Sequence, residues 1–396
     1  MKHWEPYLKK SKLPRASLIS VDFSACMAVV IPCYNEPNLE ATLQSLCECA
    51  SPACGTLVIV VINSRENCSA DVVRQNRKSF SRVHAFSQAH GNEKIHFMPL
   101  LCEELPRKHA GVGLARKIGM DLAVDYFLRT ENPTSILVSL DADCTVSPNF
   151  LVDISESFRS DEKLCCTIHN FYHRVENGDP TIEDAVRQYE AYLRYFENAL
   201  RYTGFPYYYH TIGSAFAVTA DAYVRVGGMG RQQGGEDFYF LQKIFQMGKT
   251  KELDDVMVYP MARFSDRVPF GTGPALQKII AQKDGLMKVY DFEAFQSLRQ
   301  FFDMKDSFYG ASQDRIIEMI RRLHPILQEF LTENNFLLDV QDCNANAATL
   351  KSFQKRFFHH FNAFKIIKYL NFAHQNAFGL TSLTTALDKY SEAIGS

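Results

Sequence analysis

The sequence predicts an α/β fold, with a mostly parallel sheet flanked by helices and a helical region at the C-terminus. Short apolar, β-branched runs such as Met27–Ile31 and Leu57–Ile62 are typical of buried strands. The segment between these two runs carries leucines at helical spacing, and strands joined in this way cross over into a parallel sheet. From Pro274 onward the pattern is helical and rich in phenylalanine.

The same alternation continues along the chain and defines the predicted elements. Further strands are predicted at Lys94–Leu101, Ile136–Leu140, Leu164–Phe171, Gly213–Thr219 and Val256–Tyr259. Further helices are predicted at Ala70–Phe80, after Gly113, at Phe150–Phe158, Thr181–Tyr202 and Ala220–Val226, and from Glu236. We therefore divide the chain into a polar N-terminal surface arm (1–25), a sheet domain (26–274) and a helical C-terminal region (275–396).

Composition favours an ordinary globular protein that stays in the cytoplasm. The chain has 396 residues, 46% of them hydrophobic, and a net charge of -2, which argues against a nucleic-acid-binding protein. It has no apolar run of about 18 residues, so we expect no transmembrane helix, and its start lacks the apolar core of a signal peptide. Most cysteines, including Cys26, lie in apolar runs, where we expect free thiols in a reducing compartment.

Two aspartates follow the strand predicted at Ile136–Leu140. In an extended chain the side chains of Asp141 and Asp143 project to the same side, and ligands of open α/β sheets bind beyond the carboxyl ends of strands. A divalent cation such as Mg²⁺ or Mn²⁺ would relieve the repulsion between the two carboxylates. The alternative is a turn in which one of them caps the following helix.

Three other segments carry residues suited to ligand binding. Gly113 lets the backbone approach a ligand, and Arg116 and Lys117 lie near the start of a helix, where anions are favoured; a tight loop with solvated side chains is the alternative. Glu236 and Asp237 open another helix, and the helix dipole explains only one of these acids. A loop rich in tyrosine, ending at His210, can stack on a polar ligand.

Four motifs occur in order along the chain: Pro-x-Tyr-Asn-Glu, Gly-x-Gly-x-Ala-Arg, Asp-Ala-Asp and Gly-Gly-Glu-Asp. Together they resemble the motifs of the family 2 nucleotide-sugar glycosyltransferases of GT-A fold, over residues ~25–270. The joint occurrence of the four motifs at this spacing is much more specific than any one of them.

The resemblance implies a role for each motif. The residues that it places in a donor site are Pro32, Tyr34, Asn35, Glu36, Asn63, Gly113, Arg116, Lys117, Asp141 and Ala142. Asp141 and Asp143 would hold Mn²⁺ or Mg²⁺, and Asp237, supported by Glu236, would be the catalytic carboxylate. His210 and Gly213 would bind the acceptor. Arg263 and Arg267 have no clear match in the general pattern, so a diphosphate lid and a surface salt-bridge loop both stay open.

The implied activity is transfer of a sugar from a UDP- or GDP-sugar to a hydroxyl of a carbohydrate or glycan-precursor acceptor. A metal and an arginine would stabilise the departing diphosphate, and a carboxylate would take the proton of the acceptor hydroxyl. A single carboxylate base suggests inversion at the anomeric carbon. The phenylalanine-rich C-terminal region is expected to cover a flank of the sheet or to form a contact between subunits of a homo-oligomer.

Two other classes of protein stay open. A sugar-phosphate nucleotidyltransferase shares the α/β layout, but it would need a glycine-rich basic loop after the first strand, where this chain has Pro-Cys-Tyr-Asn-Glu. A non-catalytic protein that binds sugar nucleotides would have lost the aspartate pair or the Glu-Asp motif, and this chain has both.

Overall fold

The computed structural model describes residues 1–11, 23–264, 271–282 and 285–395. The described chain forms two compact units. The first unit comprises Met1–Asp179 and Thr211–Pro274, and the second comprises Pro180–His210 and the residues from Ala275 onward. The second unit thus takes in residues 180–210 as well as the C-terminal region.

Strands alternate with helices along most of the first unit, and the second unit is largely helical; the elements of both units follow in chain order. The strands are β1 (Ala25–Cys33), β2 (Gly55–Arg65), β3 (Ile95–Leu105), β4 (Ile136–Ser139), β5 (Thr145–Val146), β6 (Leu164–Phe171), β7 (Arg174–Val175), β8 (Phe216–Thr219), β9 (Lys249–Tyr259), β10 (Met261–Ala262), β11 (Lys288–Tyr290) and β12 (Leu380–Ser382). The helices are α1 (Trp4–Ser11), α2 (Leu39–Cys47), α3 (Ala70–His90), α4 (Val112–Arg129), α5 (Phe150–Ser160), α6 (Pro180–Tyr202), α7 (Ala220–Arg225), α8 (Glu236–Met247), α9 (Thr272–Ala281), α10 (Phe292–Asp303), α11 (Gln313–Ile320), α12 (Pro325–Glu333), α13 (Phe336–Ala345), α14 (Leu350–His360), α15 (Ala363–Ala373) and α16 (Leu383–Gly395).

A large sheet forms the centre of the first unit, and its strand order within the described residues is β3-β2-β1-β4-β8-β6-β9-β5. The pairs β1–β2, β2–β3, β1–β4 and β6–β9 are parallel. Strand β8 runs antiparallel to both of its neighbours, β4 and β6. The predicted fold class, a mostly parallel α/β sheet flanked by helices and followed by a helical region, is confirmed.

Nearly every residue of β1 and β2 is buried, which is the burial that the continuous apolar runs of these strands predict. The register of the pair shifts between Ala25 and Met27. Cys26 lies in this shift and forms a disulfide with Cys54, which precedes β2. Our prediction that Cys26 is a free thiol is therefore wrong, because sequence spacing does not reveal which loop lies beside a strand end.

The N-terminal segment differs from the surface arm that its polar composition predicts. Residues 12–22 lie outside the described part of the chain, but α1 packs on α4 and its Trp4 side chain is fully buried. The Trp4 indole donates a hydrogen bond to Asp221, with Nε1 3.1 Å from Oδ1. One buried tryptophan therefore fixes a helix whose other residues are mostly polar.

The second unit is built largely from helices around an aromatic core. Buried phenylalanines pack edge to face or tilted against one another, including Phe301, Phe302, Phe308, Phe336, Phe357 and Phe361. Much of the phenylalanine enrichment thus serves the core of this unit itself. The short antiparallel pair β11–β12 adds strands that the helical pattern did not predict. In the described part of the chain, no helix has the length and apolarity to cross a membrane.

Candidate active site

The candidate site lies at the carboxyl ends of β1, β2 and β4, three neighbouring parallel strands of the sheet. Asn35 and Glu36 follow β1, Asn63 lies near the end of β2, and Asp141 follows β4. The chain turns at this edge through Asn35, whose backbone adopts the left-handed conformation with φ of 49°. Asparagine tolerates this conformation better than most residues. This is the edge at which open α/β sheets bind ligands.

Arg116, in the first turns of α4, joins two of the predicted acidic motifs. Its Nη2 atom lies 2.7 Å from Oδ1 of Asp141, and its Nη1 atom donates to Oε1 of Glu236. The guanidinium is almost fully buried, with 2% of the side chain exposed, and its Nε finds no hydrogen-bond partner among the residues that the structure describes. Burial alone lowers the pKa of Arg116, but the charges of Asp141, Glu236 and Asp237 raise it above its ordinary value. Arg116 therefore stays charged and holds these acids together.

Lys117 points away from this acidic cluster. Consecutive residues on a helix project about 100° apart, so Arg116 and Lys117 cannot both face one ligand. The Lys117 Nζ atom lies 2.8 Å from Oδ2 of Asp121 and 2.8 Å from the hydroxyl of Tyr7. Asp121 also accepts from the hydroxyl of Tyr223. These contacts fix α1 on α4, and the expectation that Lys117 holds the donor diphosphate stays a prediction.

The Asp-x-Asp pair does not lie in an extended strand. Strand β4 ends at Ser139, and the backbone N–H of Cys144 donates to the carbonyl of Asp141 over 3.1 Å, which closes a turn. The two aspartates therefore lie in a turn, and the extended-chain argument for their projecting to the same side does not apply. Asp141 pairs with Arg116, whereas Asp143 pairs with Arg263.

Arg263, just beyond β10, connects Asp143 to the end of β1. Its Nη2 atom lies 3.0 Å from Oδ2 of Asp143. The same guanidinium binds both oxygens of the Glu36 carboxylate, with Nη1 3.1 Å from Oε1. Burial alone lowers the pKa of Arg263, but Glu36 and Asp143 raise it, so it remains a cation. Arg267, the other arginine predicted in this loop, lies outside the described residues.

Glu236 and Asp237 open α8, after Gly235 with φ of 72°, a left-handed turn that favours glycine. The Glu236 carboxylate is buried against Arg116, whereas Asp237 is only half-buried. Burial raises the pKa of both carboxyls, and the nearby Arg116 charge partly opposes the rise. Asp237 is thus the more accessible of the two acids and has an elevated pKa, as a general base requires.

At two positions only glycine fits, because other protein atoms lie where a Cβ atom would be. A Cβ atom at Gly213 would lie 2.8 Å from Oδ2 of Asp237 and 3.0 Å from Nη2 of Arg116. A Cβ atom at Gly113 would lie 2.4 Å from the carbonyl oxygen of Gln232 and 2.9 Å from Cγ of Glu236. Gly113, predicted to approach a donor, is therefore needed to pack α4 against the segment that leads into α8.

Two buried residues that our sequence analysis overlooked hold the loops of the site. The Asn76 side chain accepts from the backbone N–H of Asn35 over 2.9 Å and donates to the carbonyl of Asn63 over 2.9 Å, so it clamps the ends of β1 and β2 together. Thr42 donates to the carbonyl of Ala142, 2.9 Å away. Both lie on helices whose apolar spacing reveals the buried face but not which loop it meets.

The remaining predicted residues fall in different places. Pro32 lies in β1 opposite Val61, and Tyr34 follows that strand directly. His210, predicted to bind an acceptor, belongs to the second unit, where its backbone N–H donates to Oε1 of Glu197 over 3.2 Å. Its role in binding an acceptor stays a prediction.

Asp141 and Asp143 fit part of a divalent-metal site. Their side chains are 38% and 26% exposed, so each carboxylate can reach a solvated ion. Among the described residues there is no group of three or more His, Cys, Asp or Glu side chains that could hold a metal. Mg²⁺-type ions commonly use one or two carboxylates and complete their shell with water and substrate phosphates. The residues present therefore suit an ion that is bound together with a phosphate ligand.

Comparisons with known proteins give the following. No protein-family model matches the chain, and no curated protein matches it. Among solved structures, the chain is similar to residues 1–349 of S. aureus TarS in complex with UDP-GlcNAc, with 11% identity over 85% of this chain and 91% of that chain and a TM-score of 0.41. The chain is also similar to GalNAc-T7 with UDP, GalNAc and Mn²⁺, with 12% identity over 91% of this chain and 59% of that chain and a TM-score of 0.39.

Proposed function

We propose that this protein is a family 2 glycosyltransferase of GT-A fold that moves a sugar from a nucleotide-diphosphate sugar to an acceptor hydroxyl. One observation carries the proposal: Arg116 binds Asp141 and Glu236 at once. Asp141 belongs to the motif expected to hold the donor, and Glu236 to the motif expected to activate the acceptor. A single buried guanidinium thus joins the two halves of a transfer reaction that the sequence motifs imply separately.

We assign the general base to Asp237 and a supporting role to Glu236. The hydroxyl of the acceptor attacks the anomeric carbon and loses its proton to Asp237, while the bond from that carbon to the diphosphate breaks. Asp237 is half-buried and its pKa is raised, whereas the Glu236 carboxylate is committed to Arg116. With one accessible carboxylate as the base, in-line attack inverts the configuration of the anomeric carbon.

Charge balance favours assistance by a divalent cation. Among the described residues the site brings together the carboxylates of Glu36, Asp141, Asp143, Glu236 and Asp237, against the guanidinium groups of Arg116 and Arg263. A nucleoside diphosphate adds further negative charge. Mn²⁺ or Mg²⁺ at Asp141 and Asp143 would offset this charge and stabilise the departing diphosphate.

The arginines are assigned different roles. Arg116 is buried and both its terminal nitrogens are engaged, so we propose that it positions Asp141 and Glu236 and does not touch the diphosphate, in contrast to the sequence-based expectation. Arg263 is more exposed than Arg116 and pairs with Asp143, so we propose it as the diphosphate contact.

A binding and turnover experiment tests the function. We expect UDP or GDP, each with Mn²⁺, to raise the melting temperature of the full chain, and a panel of UDP- and GDP-sugars to be consumed in the presence of carbohydrate acceptors. Asp143→Ala should retain its fold by circular dichroism and lose the Mn²⁺-dependent shift. An undiminished Mn²⁺-dependent shift in that variant would remove Asp143 from the metal site.

The same experiment separates the two other classes of protein. A sugar-phosphate nucleotidyltransferase would release pyrophosphate from a nucleoside triphosphate and a sugar phosphate, which is measured directly. A non-catalytic binding protein would show the thermal shift and no release of nucleoside diphosphate with any acceptor or with water.

A further inference from the structure

Arg263 binds two carboxylates that differ greatly in exposure. It grips both oxygens of Glu36 and reaches Oδ2 of Asp143 with the same Nη2 atom, over 3.0 Å. The Glu36 side chain is 1% exposed, whereas that of Asp143 is 26% exposed. The two ion pairs of Arg263 therefore differ in how readily they can break.

The pair with Glu36 is the permanent one. Separating Arg263 from a buried carboxylate leaves an uncompensated charge, which is strongly destabilising. The carboxyl of Asp143, in contrast, is close to solvent, and a partly exposed ion pair contributes little free energy of stabilisation. When Asp143 takes another partner, Arg263 can therefore stay in place on Glu36.

We propose that Arg263 is a resident counter-cation that competes with a divalent metal for Asp143. The inference deepens the proposed function and depends on it for the identity of the second ligand, a nucleoside diphosphate. Without that ligand, Arg263 neutralises Asp143 and keeps its affinity for a metal low. An anionic phosphate oxygen that takes the Nη2–H donor of Arg263 releases Asp143 to the metal, so the two ligands bind cooperatively.

Binding of Mn²⁺ to the full chain without nucleotide tests the competition. The electron paramagnetic resonance signal of hydrated Mn²⁺ disappears on binding, so a titration gives the affinity independently of activity. Arg263→Gln should bind Mn²⁺ about fivefold to tenfold more tightly than the wild type, the range expected for loss of one partly exposed charged contact. Asp143→Asn/Arg263→Gln should lose this gain.

Two further variants control for misfolding and for the loss of an arginine elsewhere. Glu36→Gln/Arg263→Gln removes the buried carboxylate together with its partner, so it keeps the test valid if Arg263→Gln alone fails to fold; it should show the same gain in Mn²⁺ affinity. Arg74→Gln removes an arginine that pairs with Asp71 on the surface, and its Mn²⁺ affinity should match the wild type. If neither Arg263→Gln nor Glu36→Gln/Arg263→Gln, when folded, binds Mn²⁺ more tightly than the wild type, the proposal is overturned. A gain that survives in Asp143→Asn/Arg263→Gln also overturns it, because the ion then uses another ligand.

The titration is then repeated with saturating UDP or GDP. In the wild type, nucleotide should tighten Mn²⁺ binding by a larger factor than in Arg263→Gln; equal factors overturn the coupling. Failure of the proposed function gives a different result. If neither nucleotide binds, the glycosyltransferase assignment fails, while the nucleotide-free titration still decides whether Arg263 and Mn²⁺ compete for Asp143.

Discussion

The Nη2 atom of Arg116 lies 2.7 Å from Oδ1 of Asp141, although 25 residues separate them along the chain. The contact links the start of α4 to the turn after β4, and the other terminal nitrogen of Arg116 extends the link to α8 through Glu236. Because Arg116 is almost fully buried, it neutralises Asp141 and Glu236 from inside the protein. The positions of Asp141 and Glu236 are therefore set by a side chain of the protein core.

Replacing Arg116 should separate its structural contribution from that of its partner Glu236. Arg116→Met leaves the buried Glu236 carboxylate without its counter-charge, and we expect the free energy of unfolding to fall by about 3–5 kcal/mol. Arg116→Met/Glu236→Gln removes both charges and should recover part of that loss. Urea unfolding of the single and double variants measures the effect. If the double variant loses as much as the sum of the two single variants, the residues do not interact.

A methyl group at Gly213 should disturb Asp237 without altering charge. The added Cβ of Gly213→Ala would lie 2.8 Å from Oδ2 of Asp237, closer than Cβ atoms normally approach. We expect kcat to fall at least about tenfold with a smaller change in donor affinity, because the methyl group crowds the proposed base most closely and Arg116 less so. Steady-state kinetics with a saturating donor measures this.

Gly119→Ala is the matched control for that substitution. Its Cβ would lie 2.4 Å from Cγ1 of Val30, in the packing between α4 and the sheet. This variant should lose stability through overpacking while its kcat at low temperature stays close to the wild-type value. Equal kcat losses in both variants would mean that Gly213→Ala acts through general destabilisation.

The fold could be predicted from the sequence because its signal is local. Apolar runs gave Leu164–Phe171 with the same bounds as β6, and helical spacing predicted α4 and α5, although α4 begins before Gly113 and α5 extends to Ser160. Boundaries were less well predicted where polar residues continue an element: α3 extends to His90 and β9 begins at Lys249. In those segments only one face is buried, so the apolar pattern weakens before the element ends.

The site was predictable as a set of motifs but not as a set of contacts. Both Asp141 and Arg116 could be chosen from sequence, yet nothing in their spacing shows that they pair with each other. Lys117 was grouped with Arg116 because the two are adjacent, although a helix turns neighbours in different directions. Asn76 was overlooked because its function depends on two loop backbones that meet only in the folded protein.

Removing the Asn76 side chain should weaken the edge of the sheet that the donor is proposed to use. Asn76→Ala leaves the backbone N–H of Asn35 and the carbonyl of Asn63 without this partner, and each orphaned buried group costs about 1–3 kcal/mol. We expect lower stability by urea unfolding and weaker nucleotide binding by calorimetry. Asn92→Ala, which removes an exposed asparagine that caps a turn at Lys94, should cost less and leave nucleotide binding unchanged. Unaltered stability in Asn76→Ala would refute the clamp.

The pH dependence of transfer should report Asp237 as the base. Burial raises the pKa of its carboxyl above the ordinary value for aspartate, and only the ionised form accepts a proton. The rate at saturating donor and acceptor should therefore fall as the pH drops through this raised pKa, at a higher pH than an exposed aspartate would give. Asp237→Asn should lower kcat by ~10²–10⁴-fold and retain donor affinity.

The charge of Arg116 should also affect the pH dependence of transfer. Arg116 lowers the pKa of Asp237 against the effect of burial, so Arg116→Met should move the acid limb to higher pH in whatever activity remains. Glu236→Gln keeps Asp237 and should therefore keep an acid limb, with a reduced rate. If Glu236→Gln abolishes transfer while Asp237→Asn stays active, the roles of the two acids are exchanged. An acid limb that does not move in Arg116→Met would mean that the titrating group lies away from Arg116, and Asp237 would then not be the base.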